Sequence, residues 1–323
     1  MDRLYIVVPC YKEEEVLPET SKRLKAKLEE LARTGQITPD SRVLFVDDGS
    51  TDRTWEIIAA LHRQDETFSG VKLSRNRGHQ NALLAGMEEA ARHGDVIITM
   101  DADLQDDIDA VDRMLEKYQE GCEVVYGVRS SRAKDTFFKR FTAHGYYRFM
   151  QAMGVDIVYD HADYRLMSRR AVEALMSFSE VNLFLRGMVP LVGFKSDTVL
   201  YERGERFAGE SKYPLKKMIA FALDGITSFS VKPIRLILNL GIAIFVVAAV
   251  ILLYSLIRKL CGQTVSGWTS LVCSIWALGG IQLLALGVIG EYIGKIYNET
   301  KRRPRYIIET VLDDSTEDAG AIK

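Results

Sequence analysis

Short apolar runs and amphipathic stretches take turns along the first part of the chain. Leu4–Val8 is an unbroken apolar run closed by Pro9 and reads as a buried strand. Glu13–Leu31 repeats Val16, Leu17, Leu24, Leu28 and Leu31 at helical spacing. Val43–Val46 and Val71–Leu73 predict a second and a third strand, with a helix over Thr51–Leu61 between them. His79–Ala91 predicts a helix, Val96–Met100 a fourth strand, Ile108–Tyr118 a helix and Val124–Tyr126 a fifth strand. This order predicts an α/β fold on a largely parallel, Rossmann-like sheet with helices on both faces. Such crossovers are right-handed, which nearly settles the layout.

The pattern changes after residue 231. Leu236–Ile257 and Leu260–Gly290 carry no charged residue. The first run would be about 33 Å long as a helix, enough for a bilayer core of about 30 Å. After the turn Gly262–Gly267, a second span follows. The expected organisation is a domain over 1–231, two transmembrane helices within 232–297 (about 234–257 and 268–290) and a tail over 298–323. Lys232, Arg235, Lys295, Lys301, Arg302, Arg303 and Arg305 flank the outer ends of the spans, against Arg258 and Lys259 at the turn. That bias predicts a multi-pass inner (plasma) membrane protein with both termini and the large domain cytoplasmic. The start, Met1–Pro9, is too short an apolar run for a signal peptide. Pro214–Val231 mixes Lys216 and Lys217 with apolar residues and predicts either an amphipathic juxtamembrane helix or an ordinary helix packed on the sheet.

Composition narrows the function. Of 323 residues, 42 are Lys or Arg and 44 are Asp or Glu, a balance that disfavours nucleic-acid binding through bulk charge. The four cysteines form no C-x-x-C, and the five histidines show no metal-binding spacing. Ligands of open α/β sheets bind beyond the carboxyl ends of the strands. Polar groups gather there after every predicted strand: Pro9, Tyr11 and Glu13; Asp47, Asp48, Gly49 and Ser50; Arg75, Asn76 and Gly78; Asp101, Asp103 and Gln105; Gly127, Arg129 and Arg132. No G-x-G-x-x-G follows the first strand and no P-loop motif occurs, which disfavours dinucleotides and excludes a P-loop enzyme. Asp47 ends a strand, where it could accept hydrogen bonds from a base or ribose. Asp101-Ala-Asp103 suits a hard divalent cation, Mg²⁺ or Mn²⁺, with a turn or cap before the helix at Ile108 as the lesser alternative for Asp103. Asp48 and Asp52 read as turn and helix-cap residues.

Seven stretches together resemble one family. They are Val8–Glu15, Val46–Asp52, Ser74–Asn81, Met100–Asp106, Asp163–Leu166, Arg206–Tyr213 and Gly290–Gly294, followed or flanked by the two spans. In these the chain resembles a family 2 glycosyltransferase of GT-A fold, of the membrane-anchored polyisoprenyl-phosphate group that includes bactoprenol glucosyltransferases and dolichol-phosphate mannose synthases. The resemblance implies that Pro9, Tyr11, Glu13, Asp47, Arg75, Gly78 and Asp101 hold a nucleotide sugar. It implies that Asp101, Asp103 and Gln105 organise Mg²⁺ or Mn²⁺ and the diphosphate. Arg129, Arg132, Arg206, Ser211 and Lys212 would face the phosphates and the acceptor, and Asp103, Asp163 and Arg129 would be catalytic. The chain departs from the family at Cys10, usually a small apolar residue, and at Lys12, usually Asn.

The implied reaction joins two anions, a nucleotide diphosphate-sugar and a lipid phosphate. At about 6 Å and an effective dielectric of about 20, each pair of unit charges repels by about 3 kcal/mol, so the site must be cationic. A lipid phosphate is already ionised at neutral pH and needs no base, whereas a hydroxyl acceptor would. Asp163 matches the place where this fold puts a base; it is expected to orient the sugar or acceptor or to hold Arg165, with a structural ion pair as the alternative. One direct displacement, with no second carboxylate nucleophile in view, implies inversion. The expected activity is transfer of a hexose, glucose from UDP-glucose, to a polyprenyl phosphate such as undecaprenyl phosphate. The product would be a lipid-linked sugar donor for cell-envelope glycan modification. UDP-GlcNAc, another UDP-sugar and GDP-mannose are the alternatives for the donor. An inactive membrane scaffold or lipid-transport partner is the alternative of another class, and a homo-oligomer is left open.

Overall fold

The computed structural model describes residues 1–129, 161–180, 184–202, 204, 232–260 and 267–313. Their contacts divide into two units, one with the described residues up to 204 and from 303 onward, the other with those from 232 to 302.

The first unit is built on one eight-stranded sheet in the order β7-β5-β6-β4-β1-β2-β3-β8. Its strands are β1 (Leu4–Cys10), β2 (Arg42–Asp47), β3 (Phe68–Leu73), β4 (Val96–Thr99), β5 (Val124–Arg129), β6 (His161–Ser168), β7 (Ser196–Tyr201) and β8 (Ile308–Leu312). The helices between them are α1 (Leu17–Arg33), α2 (Thr54–Gln64), α3 (His79–His93), α4 (Ala110–Gln119), α5 (Arg169–Met176) and α6 (Leu185–Leu191). Strands β1, β2 and β4 are buried along their whole length, as continuous apolar runs in a doubly covered sheet should be. β1 pairs in parallel with β2 and β4, and β2 with β3. Helix α3 lies close on this centre. A methyl group at Gly86 would come within 2.4 Å of Val7 and 2.6 Å of Val46, so only glycine allows that approach.

The five expected strands are present, but the fifth does not lie beside the fourth. β6 stands between β4 and β5 and runs antiparallel to both. Its alternation explains why hydropathy missed it. Tyr164 and Leu166 enter the hydrophobic core, while Asp163 and Arg165 occupy the other face. Arg165 has no exposed surface at all. β7 escaped notice because Ser196, Thr198 and Leu200 are exposed or half-buried and only Val199 and Tyr201 are buried. β8 falls inside the stretch read as a tail. It pairs antiparallel with β3, and its end is fixed by a buried ion pair of 2.7 Å between Arg42 and Asp313.

The second unit holds two long helices, α7 (Lys232–Leu260, 29 residues) and α8 (Trp268–Thr300, 33 residues). Leu238, Val250, Leu253, Ile275, Leu283 and Leu286 expose apolar side chains on them. Among the described residues no helix is long and apolar enough to cross a membrane. Side chains at several positions within both helices lie outside the description, so the spanning argument rests on the sequence. The expected amphipathic segment 214–231 lies outside the described residues as well.

Candidate active site

The carboxyl ends of β1, β2 and β4 share one edge, and the register of β1 with β2 sets Cys10 opposite Asp47. Pro9 is buried within β1, while Tyr11 just beyond it is 43% exposed. Lys12 adopts φ 59°, a left-handed conformation that asparagine tolerates better than lysine, so the departure from the family falls on backbone geometry. Its amide donates to Ser50 Oγ, and the Glu13 amide to Thr54 Oγ1, both at 3.0 Å.

Asp47 is fully buried. Its Oδ1 accepts the Ser50 amide at 3.1 Å, while Oδ2 is buried with no hydrogen-bond partner among the described residues. Burial pushes its pKa up against the pull of Ser50. Asp48 does more than the turn role read from sequence. Its two oxygens accept the amides of Arg77 (2.6 Å) and Gly78 (2.8 Å), tying down the loop that carries Arg75 and Gly78. Gly49 lets the same loop dock: a Cβ there would sit 2.5 Å from the Arg75 carbonyl carbon. Asp52 accepts from the Thr54 amide and hydroxyl, as a turn residue should.

The segment after β4 is held from below. Buried Thr20 of α1 donates to Ala102 O at 2.9 Å, and Asp103 Oδ1 accepts the Gln105 amide at 3.2 Å. Gln105 lines a cleft of about 640 Å³ together with Lys27, Asp106, Asp109 and Glu202. Asp106 Oδ1 accepts the Tyr201 hydroxyl at 2.7 Å, and Arg129 Nε reaches the same hydroxyl at 3.5 Å. Burial and the charge of Asp101 push the Asp106 pKa up to about 6.

Asp163 enters by register. β6 pairs Thr99 with Arg165 at the end of β4, so Asp163 and Asp101, each two residues beyond, emerge at the same end of the two strands. Two guanidinium groups and an imidazole gather on Asp163. Arg165 Nη2 lies 2.8 Å from Oδ1, Arg186 lies 3.4 Å from Oδ1 through Nε and 3.2 Å from Oδ2 through Nη2, and His79 Nε2 lies 3.6 Å from Oδ2. Burial alone would raise the pKa of Asp163; His79, Arg186 and Arg165 outweigh it and hold the carboxyl well below the usual range. His79 Nε2 also lies 3.6 Å from Asp101 Oδ1. Burial would lower the His79 pKa, but Asp163 and Asp101 raise it.

Among the described residues no group of three or more His, Cys, Asp or Glu side chains forms a ready metal cage. Asp101 and Asp103 nevertheless fit a divalent ion in donor type. Burial, with Asp163 and Asp103 nearby, pushes the Asp101 pKa up against His79 and Arg129. A divalent cation bound there would favour the ionised carboxylate against that burial.

The structure thus brings Asp101, Asp163 and the loop of Gly78 together, with Asp103, Gln105 and Arg129 on neighbouring segments. Arg132, Arg206, Ser211 and Lys212 lie outside the described residues. Sequence reasoning missed His79, Arg186, Asp48 and Tyr201 as site residues. His79 stands in the Ser74–Asn81 stretch already singled out; Tyr201 had no signal, since its strand was not seen.

Comparison with known proteins identifies the family. The model of glycosyl transferase family 2 matches residues 5–176. A Bacillus subtilis (strain 168) protein named uncharacterized glycosyltransferase YkoT is 55% identical over 309 residues, covering 96% of this chain and 92% of that protein. The prophage bactoprenol glucosyl transferase homolog of Escherichia coli (strain K12) is 40% identical over 96% of this chain and 99% of its own length. The bactoprenol glucosyl transferase of Shigella phage SfX is 38% identical, covering 95% of this chain and 99% of its own length. A family model over more than half of the chain and relatives matched along nearly their whole length leave one conclusion: this chain belongs to glycosyl transferase family 2 and is a glycosyltransferase.

Proposed function

We propose that the enzyme transfers glucose from UDP-glucose, with inversion, to a polyprenyl phosphate at the cytoplasmic face of a membrane. The observation that carries this reading is the state of Asp163. A carboxylate engaged by Arg165, Arg186 and His79, with its pKa well below the usual range, is a poor proton acceptor. A hydroxyl acceptor would need such a base; a phosphate monoester, already ionised, attacks without one. The names of the Escherichia coli and Shigella phage relatives support a bactoprenol acceptor and glucose as the sugar.

The unpartnered Oδ2 of Asp47 supports a nucleotide donor, because a base N–H would satisfy an acceptor left buried and unpaired. Asp101 and Asp103 would hold Mg²⁺ or Mn²⁺, which when bound stabilises the charge on the departing diphosphate. Arg129 stands near the same edge as a fixed cation for the phosphates, steadied by the Tyr201 hydroxyl.

The two charge-free runs support a transmembrane hairpin within residues 232–297. Connectivity agrees. β8 follows α8 and pairs with β3, so the chain leaves the first unit before α7 and returns to it after α8. Leaving and returning requires an even number of crossings. An enzyme so anchored would meet a lipid acceptor at high effective concentration.

The test offers labelled UDP-glucose, UDP-GlcNAc and GDP-mannose to detergent-solubilised protein with undecaprenyl phosphate and Mn²⁺. Label from UDP-glucose entering the organic phase is the expected result. Label only from another donor would correct the sugar, and none from any donor would overturn the reading.

A further inference from the structure

We infer that His79, with Gln80 beside it, is the positioning element that sets the spacing between Asp101 and Asp163. The two carboxylates come from different strands, β4 and β6, and the ladder between them ends at Thr99 and Arg165. The Thr99 hydroxyl donates to the Asp163 carbonyl and ties the two backbones there, but carboxylates brought close to one another repel and need a group between them. His79 Nε2 lies 3.6 Å from an oxygen of each.

The imidazole is itself well placed. Gly78, at φ 87°, turns the chain into α3, and the Asp48 carboxylate grips the Arg77 and Gly78 amides just ahead of it. His79 is therefore the first residue of a helix anchored both to the end of β2 and, through Gly86, to β1. The neighbouring Gln80 reaches the other way. Its Oε1 accepts the Leu185 amide at 3.1 Å, which fixes the start of α6 and with it Arg186, the residue that grips both oxygens of Asp163. One dipeptide thus links the donor-side loop, the Asp101 carboxylate and the Asp163–Arg186 pair.

The inference rests on the proposed transfer only for its kinetic arm. In the full-length, detergent-solubilised chain, His79→Ala should lower kcat for hexose transfer by about ten- to a hundred-fold, the scale of a misplacement near 1 Å. KM for the sugar nucleotide should change less than kcat, because Asp47 and the β1 edge are untouched. Gln80→Ala should act in the same direction and more weakly. A His79→Ala enzyme with the parent's kcat, or one whose loss lies wholly in KM, overturns the inference.

The second arm needs no activity. In protein labelled with ¹⁵N-histidine, the His79 ring resonances are identified by their loss in His79→Gln. They should move in Asp101→Asn and in Asp163→Asn, and stay in place in Glu309→Gln, which alters a distant surface pair with Lys72. Asp101→Asn keeps this arm decisive if Asp163→Asn does not fold. Unmoved resonances in the folded variants would overturn the inference. A parent chain that transfers no hexose would sink the functional reading, while the resonances still decide the role of His79.

Discussion

On the β1–β2 side of the sheet edge, Asp47 is fully buried and keeps one oxygen without a partner. On the β4–β6 side, the Asp163 side chain is 14% exposed, and both its oxygens are engaged by Arg165, Arg186 and His79. Burial pushes the Asp47 pKa up, while the cations around Asp163 overcome burial and drive it down. The difference teaches that partners, more than position on the sheet, decide what task a carboxylate is prepared for. An orphaned acceptor is completed by a donor that arrives with a ligand. A saturated anion acts through its fixed charge and holds other groups in place.

The strongest way to break this comparison lies between the two sides. Asp103→Ala should cut transfer by about a thousand-fold or more, and removal of divalent ions by a chelator should do the same. The melting temperature should hardly change, since Asp103 is half-exposed. Transfer near the parent level would remove the metal assignment.

Asp163→Asn sharpens the acceptor side. It leaves Arg165 buried with its charge uncompensated, a loss on the order of 3–5 kcal/mol in urea unfolding. The pH dependence follows the same residue. A carboxyl with a folded pKa below its unfolded value stabilises fully above the unfolded value, near 3.8, and that share is lost as pH falls through the lower folded pKa. Stability of the parent should therefore drop more steeply below about pH 4 than that of Asp163→Asn. Parallel curves would mean that Asp163 is not held as described.

Asp47→Asn addresses the donor side with a smaller effect. UDP binding measured by calorimetry should weaken by about ten-fold, the cost of mismatching one buried acceptor. Gly86→Ala leaves both carboxylates alone and tests the floor beneath them. The clash with Val7 and Val46 should cost about 1–3 kcal/mol of stability, read by thermal unfolding, with KM unchanged.

The β1–β2 half was legible because its strands are short apolar runs with polar residues at the same end of each. Pro9, Asp47, Gly78 and Asp101 could be placed at that edge from the rule alone. The β4–β6 half resisted for a physical reason. β6 buries a charged pair where hydropathy expects apolar residues, and its antiparallel place between β4 and β5 is a long-range pairing that local pattern does not encode. β8 was hidden for a similar reason, since its partner β3 lies more than two hundred residues earlier. Asp48 looked like a turn residue because its partners, Arg77 and Gly78, belong to another loop. The expected link of Asp163 to Arg165 is present at 2.8 Å, but Arg186 and His79 come from segments that only the fold brings near.

The most direct test of the central claim compares two acceptors that differ only in their head group. Purified full-length protein with Mn²⁺ and UDP-glucose is offered undecaprenyl phosphate or the corresponding free alcohol, undecaprenol. Glucose should pass to the phosphate and not measurably to the alcohol, because Asp163, engaged by Arg165, Arg186 and His79, is a poor acceptor for the proton that an alcohol must lose. Equal transfer to the alcohol would contradict the account.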